Sequence, residues 1–283
     1  MRPDSGALVS ASNKKVIVVI GDGLRMDQIS VVFLTRGGIP EHRREVIDAL
    51  SAEPNVDVTV VVERAGRQED SLIGEFRRLY DDHGLYALTY VWNFVRSRIV
   101  SNDETGEDAR LSVPVRWVDD VHSDTSIELI ESLDPDLGIV YGHRIIKPTV
   151  FRIPRFGSLG VHAGTVPEYR GKMADFWEMY HGEPSTAVTI QKIEAGIDTG
   201  DIVSQVPVPI GRGESLRRVR ERIRGVTKEE LVRIVNAYRE TEGNVQLTPQ
   251  RSSGQLYTVP KLRHRVLFVL RRYFGRLLER ISA

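Results

Sequence analysis

The feature that most constrains the fold is a set of short, almost wholly apolar runs rich in β-branched residues, separated by stretches of helical character. Residues 16–20 read Val-Ile-Val-Val-Ile, 56–62 Val-Asp-Val-Thr-Val-Val-Val, 113–118 Val-Pro-Val-Arg-Trp-Val and 137–141 Leu-Gly-Ile-Val-Tyr. A strand with one solvated face alternates apolar and polar residues, whereas a nearly continuous apolar run has both faces covered, as in a parallel sheet. Between these runs, residues 40–52 place Val46, Ile47 and Leu50 on one helical face behind Pro40, a residue suited to a first turn. Residues 71–100 put Phe76, Leu79 and Tyr80 at helical spacing with a break near Gly84, and 102–110 form a polar, acidic surface loop. Residues 126–133 predict a short helix opened by Asp124 or Thr125. Alternation of strand and helix is the pattern of βαβ units, so the expected fold is α/β with a Rossmann-like, doubly wound, mostly parallel sheet.

Gly21-Asp22-Gly23 closes the first run and is expected at the C-terminal edge of the sheet, where ligands of open α/β sheets bind. Met26 stands where a dinucleotide fingerprint carries its third glycine, so a structural turn is the better reading there. The chain becomes strongly charged past Gly211. Residues 215–224 and 228–242 predict charged helices, 246–248 and 256–258 short strands, and 261–281 a basic amphipathic helix. The expected organisation is an N-terminal tail 1–13, a main domain 14–212 and a small, mainly helical C-terminal extension 213–283.

Charge and cysteine content exclude several classes. Lys and Arg total 39 and Asp and Glu also 39, so the 283-residue chain lacks the global basic footprint of a nucleic-acid binder. Without cysteine there is no disulfide, thiolate metal site or cysteine nucleophile. The first residues lack the apolar core of a signal peptide, and no apolar run is long enough to span a bilayer. A cytoplasmic protein is expected, soluble or peripheral at the inner membrane surface. The last helix carries Arg263, Arg265, Arg271, Arg272, Arg276 and Arg280 beside Leu262, Val266, Val269, Leu270 and Tyr273 at helical spacing. Such a helix either lies on an anionic membrane surface or packs on its own core or a second subunit, as in a homodimer; burial is the commoner meaning of the pattern.

Chemistry concentrates in residues 156–208. His162 follows a short apolar stretch at 158–161 and precedes a loop with Gly164, Pro167 and Gly171. Asp198 lies in Gly196-Ile197-Asp198-Thr199-Gly200-Asp201, where flanking glycines let the backbone carry the carboxylate inward. A histidine and an aspartate from separate loops can form an acid–base pair. Taken singly, each residue is more often a structural histidine or a turn aspartate.

Taken in order, these motifs resemble the folate-dependent formyltransferases: the methionyl-tRNA, glycinamide ribonucleotide and sugar N-formyltransferases. The matching residues are His162, Pro167, Tyr169-Arg170-Gly171, Trp177, Val188-Thr189-Ile190 and Ile197-Asp198-Thr199-Gly200-Asp201-Ile202, preceded by Tyr141-Gly142 at a strand end. The resemblance covers residues 137–209. It implies transfer of a formyl group from N10-formyltetrahydrofolate to an amine, without a metal. His162 would stabilise the developing oxyanion and Asp198 would orient it and relay the amine's proton. Tyr141, Gly142, Ile197, Thr199 and Gly200 would line the folate pocket. Gly164, Pro167, Tyr169, Arg170, Gly171 and Trp177 would shape the acceptor side. The family's asparagine, two positions before the histidine, is Gly160 here. A glycine donates no side-chain hydrogen bond, so a non-catalytic folate or nucleotide binder and a hydrolase of the formyl donor stay open beside the transferase. By elimination among acceptors, an amino-sugar nucleotide is expected, with no nucleic acid.

Overall fold

Eight residues, Ile29–Arg36 (β3), make an interior strand of the main sheet, paired on both edges, where the sequence reading places no element. The computed structural model describes residues 17–19, 24–64, 111–250 and 254–282, with side chains described over 26–64, 111–250 and 254–272. Ahead of β3, Ile17–Val19 (β1) pairs antiparallel with Leu24–Met26 (β2) in a separate two-stranded sheet. This corrects the expectation that residues 16–20 form a strand of the main parallel sheet. Two three-residue strands paired with each other are too short to cross the core, whereas β3 crosses it. The turn Gly21-Asp22-Gly23 therefore does not follow a main-sheet strand, and its residues lie outside those described. The predicted elements at 71–100 and 102–110 also lie outside them.

The seven-stranded sheet adds Val56–Glu63 (β4), Val115–Val118 (β5), Leu137–Val140 (β6), Ser158–Ala163 (β7), Ser185–Lys192 (β9) and Ile202–Pro209 (β10). Its order is β10-β9-β7-β6-β3-β4-β5. Strands β7, β6, β3, β4 and β5 run parallel to one another, while β9 is antiparallel to both β7 and β10. The α/β, mostly parallel architecture is thus as the apolar runs predict. Alternation sends successive residues of each strand to opposite faces. Ile29, Val31 and Phe33 join one core and Val32 and Leu34 the other.

Glu41–Ser51 (α1) covers the first face through Val46, Ile47 and Leu50, with Pro40 at its N-cap. On the other face lie Asp124–Ser132 (α2) and the short Pro148–Phe151 (α3). Ser123, not Asp124 or Thr125, caps α2, because its hydroxyl accepts from the Ser126 amide. The three-residue strand Tyr169–Gly171 (β8) and the helix Ala174–His181 (α4) follow β7.

The tail folds differently from the two charged helices expected. Leu216–Glu240 (α5) is one continuous helix of 25 residues. Gly225 costs the helix about 1 kcal/mol relative to alanine. An apolar stripe of Val219, Ile223, Leu231, Ile234, Val235 and Tyr238, all buried in the same core as α1 and the sheet, outweighs that cost. Residues 246–248 contribute only an isolated bridge between Ile202 and Thr248. Gln255–Tyr257 (β11) pairs in parallel with β8, and Leu262–Ser282 (α6) ends the described chain. On α6, Phe268 is buried against Phe176, while Leu262, Val266, Leu267, Val269 and Leu270 are exposed. No helix among the described residues is long and apolar enough to cross a membrane.

Glu214 ties the end of β10 to the start of α5. Its carboxylate pairs with Arg222 and accepts from the Gly211 amide at 2.9 Å, and Arg222 also donates to the Pro209 carbonyl at 2.6 Å. The Arg222 hydrogen bond holds the Glu214 carboxyl down at about 2, below its ordinary 4.5. A carboxyl lowered in this way contributes stability above its unfolded value and loses it as pH falls through the folded one. Glu214→Gln is therefore expected to flatten the loss of stability between pH 4.5 and about 2. Urea midpoints across that window test it; parallel curves for the two proteins would refute it.

Candidate functional site

The doubly wound order changes direction between β3 and β6, and their C-terminal ends open a crevice. Gly142, just past β6, has φ +72°, and a β-carbon there would lie 2.1 Å from the Arg43 guanidinium. Only glycine lets that cation sit at the crevice. Arg43 Nη1 donates to Thr35 Oγ1 at 2.6 Å and to the Gly38 carbonyl, and burial lowers its pKa.

His162 lies one strand further, within β7 rather than just after it, since its pairing with Thr189 extends the strand to Ala163. It is 7% exposed. Its Nε2 is 2.7 Å from the carbonyl of Tyr169. A carbonyl only accepts, so Nε2 carries the hydrogen. Nδ1 is then the nitrogen free to exchange a proton, and it faces Asp198 Oδ2 at 3.4 Å. Gly164 permits the approach of α4 here, because a β-carbon would lie 2.3 Å from that of Ala174 and 2.9 Å from His162 Nε2. The loop after His162 is held by buried Glu178, which accepts from the Thr165 amide at 2.8 Å. Burial raises the Glu178 carboxyl above its ordinary value, against that hydrogen bond.

Asp198 sits in the loop between β9 and β10 with φ +51°, a left-handed conformation that aspartate tolerates better than most side chains. Both of its oxygens are committed. Oδ2 accepts from the Gly171 amide at 2.8 Å and Oδ1 from Gln191 Nε2 at 3.0 Å. Its side chain is 23% exposed, so the pair meets solvent on the Asp198 side more than on the His162 side.

Two cavities flank the pair. The first, of about 270 Å³, is lined by His162, Tyr141, Gly171, Asp175, Arg220 and Arg224 among others. Arg220 and Arg224 stand one turn apart on α5, and Arg220 donates to both oxygens of buried Asp175 through Nε and Nη2. The second, of about 200 Å³, is lined by Asp198, Gly160, Gln191, Gly142, Ile145 and Ile197 among others. Ile145 and Ile197 there are 71% and 42% exposed.

The expected residues divide between these places. Gly142, Ile197 and Thr199 line the second cavity with Asp198 and Gly160, whereas Tyr141 lines the first. Gly200 is packed in the turn, where a β-carbon would lie 1.9 Å from the Lys192 carbonyl. Of the residues expected on the acceptor side, Gly171 lines the first cavity. Pro167 follows a cis peptide bond. The Tyr169 ring stacks on Tyr257 at 5.1 Å, Arg170 donates to the Gly254 carbonyl, and Trp177 donates to the Thr258 carbonyl at 2.8 Å. These three side chains hold the tail, and the Tyr169 backbone holds His162. Reasoning from sequence misses Arg220, Arg224, Gln191 and Gln250. Only Gln191, a polar residue after Ala-Val-Thr-Ile in a buried strand, carries a local signal.

Residues 116–235 match the family model described as formyl transferase. The methionyl-tRNA formyltransferase of Syntrophus aciditrophicus (strain SB) is 33% identical over 124 residues, 44% of this chain and 40% of that protein. That of Bacteroides fragilis is 27% identical over 153 residues, 53% and 47% of the two chains. The chain spans about half the length of the curated relatives it matches. Among solved structures, glycinamide ribonucleotide transformylase 1 from Symbiobacterium toebii superposes with a TM-score of 0.55 at 18% identity, covering 82% of this chain and 97% of that one. A 4-N formyltransferase from Francisella tularensis gives 0.52 at 14% identity, covering 87% and 88%. A Mycobacterium tuberculosis protein thought to be a sugar N-formyltransferase gives 0.53 at 17% identity, covering 87% of each chain. At these identities the likeness is one of fold.

Proposed function

Since residues 116–235 match the formyl transferase family model, we propose that the chain transfers a formyl group from N10-formyltetrahydrofolate to an amine on a nucleotide-linked sugar. The observation that carries the reading is the His162–Asp198 pair standing between two cavities, one lined by each partner. A transfer enzyme needs a donor and an acceptor to meet at one acid–base centre.

The second cavity suits the donor. Two exposed isoleucines at its rim and the polar groups of Gln191 and Asp198 match a flat ring system with hydrogen-bonding edges. The donor supplies the one-carbon unit. The acceptor nitrogen forms a bond to the formyl carbon, the bond from that carbon to N10 breaks with its electron pair going to N10, and the acceptor's proton ends on N10. His162 Nδ1 and Asp198 Oδ2 would carry that proton across. The His162 cation would also oppose charge building on the formyl oxygen.

The first cavity supports an anionic acceptor. Arg224 and Arg220 line it beside His162, and a guanidinium suits diphosphate oxygens. The fold likeness to a 4-N formyltransferase and to a protein thought to act on sugars supports the same choice. Gly160 favours one rival reading, a relative that binds the donor without transferring from it.

The test is turnover of N10-formyltetrahydrofolate with a panel of nucleoside-diphosphate-linked amino sugars, glycinamide ribonucleotide and methionyl-tRNA. Release of tetrahydrofolate with a formylated sugar nucleotide is expected. Free formate without an amine would make the protein a hydrolase. Saturable donor binding with no turnover would make it a binder. Absence of donor binding would overturn the reading altogether.

A further inference from the structure

Two side-chain amides meet behind Asp198. Gln250, in the segment after α5, directs its Nε2 at the Gly200 carbonyl at 2.7 Å, the Asp198 carbonyl at 3.3 Å and Gln191 Oε1 at 2.8 Å. Carbonyl oxygens only accept, so the Gln250 atom facing them is the nitrogen, and the Gln191 atom facing that nitrogen is the oxygen. The polarity of Gln191 follows without ambiguity. Its Nε2 points to the Asp198 side, where one N–H goes to Oδ1 at 3.0 Å. The other N–H has no acceptor among the described residues.

That second N–H has an open neighbourhood. Gln191 on β9 is the direct cross-strand partner of Gly160 on β7. Directly opposed residues of antiparallel strands present their side chains on the same face. Gly160 contributes no side chain to that face, and both residues line the second cavity with Asp198. Gln191 is also buried, so its amide is desolvated and fixed before anything binds. A buried donor of fixed orientation at a reacting centre is what lowers a barrier when negative charge develops nearby.

We infer that Gln191 is the hydrogen-bond donor to the formyl oxygen in this chain, held in that orientation by Gln250 and acting across the strand from the empty side of Gly160. The inference rests on the transfer reading above and deepens it. It makes the glycine at 160 compatible with catalysis, because the amide is supplied by the facing strand. It also gives Gln250 a positioning role, since Gln250 touches neither cavity's contents but sets which end of Gln191 faces Asp198.

Gln191→Met keeps the length of the side chain and removes the donor. It is expected to lower kcat for tetrahydrofolate release by about 10²–10³-fold, with donor affinity changed far less. Adding Gly160→Asn should then restore a large part of the lost kcat, because it returns an amide to the same face from the opposite strand. A β-carbon at 160 meets only Ile193, at 3.4 Å, so the substitution fits. A second readout needs no acceptor. With N10-formyltetrahydrofolate labelled with 13C in the formyl group, the bound carbonyl stretch should lie below its free frequency in the natural protein. It should return towards the free value in Gln191→Met and fall again in the double variant. If the natural protein binds and turns over the donor but Gln191→Met changes neither kcat nor the carbonyl frequency, the inference is wrong and the transfer reading stands. If the natural protein binds no donor, both fall together.

Discussion

Asp198→Asn is expected to lower kcat for formyl transfer by about 10²–10⁴-fold, the range for loss of a positioned acid–base group, while leaving the fold in place and changing donor affinity far less. The backbone at 198 tolerates this substitution. Asparagine enters the left-handed region at least as readily as aspartate, so φ +51° at 198 is retained. The side-chain oxygen of asparagine can still accept from the Gly171 amide, which anchors the loop to β8, although its NH2 then faces Gln191 Nε2 and that second hydrogen bond is lost. What is lost is the negative charge opposite His162 Nδ1 and the ability to take and return a proton. With Nε2 committed to the Tyr169 carbonyl, His162 has no other route for that proton. Steady-state kinetics beside calorimetric binding of the donor checks the split. Retention of full kcat would remove Asp198 from the proton path.

The largest stability effect is expected at Phe33. It is fully buried at the middle of β3, the strand that pairs with both β4 and β6 and faces the larger core with Ile29 and Val31. Phe33→Ala should cost about 3–5 kcal/mol, the loss of transfer energy plus the cavity left in a region flanked on both sides by paired strands. A shift of the urea midpoint at unchanged slope measures it. A cost below about 1 kcal/mol would mean that the neighbours collapse into the space, and the sheet centre is softer than its pairing indicates.

These two positions differ in how they can be read. Asp198 stands in a contiguous motif whose glycines, threonine and second aspartate all bear on one loop, so the chemistry and the local geometry are written in the same few residues. His162 is legible for the same reason. Phe33 belongs to a run as apolar as residues 16–20, and composition does not distinguish a strand that enters the main sheet from one that folds back on a three-residue neighbour. Pairing partners decide that, and they are distant in the chain. The same holds for Arg220, Arg224 and Gln250. They reach the site because α5 packs on α1 and the sheet, and because the segment after it returns to the β9–β10 loop. Nothing in their own neighbourhoods announces a ligand. The helices expected at 215–224 and 228–242 are one, since a long buried stripe outweighs the roughly 1 kcal/mol that Gly225 costs the helix.

The pairing of β11 with β8 bears on how such a chain can vary. Strand β8 contributes the Tyr169 carbonyl that holds His162 and the Gly171 amide that holds Asp198, and its other edge is stitched to residues 255–257. The tail is thus not a cassette that can be exchanged while the centre stays as it is. Any different C-terminal segment grafted after α5 would have to supply its own strand to that edge, or the two reacting side chains would lose the backbone that sets their spacing.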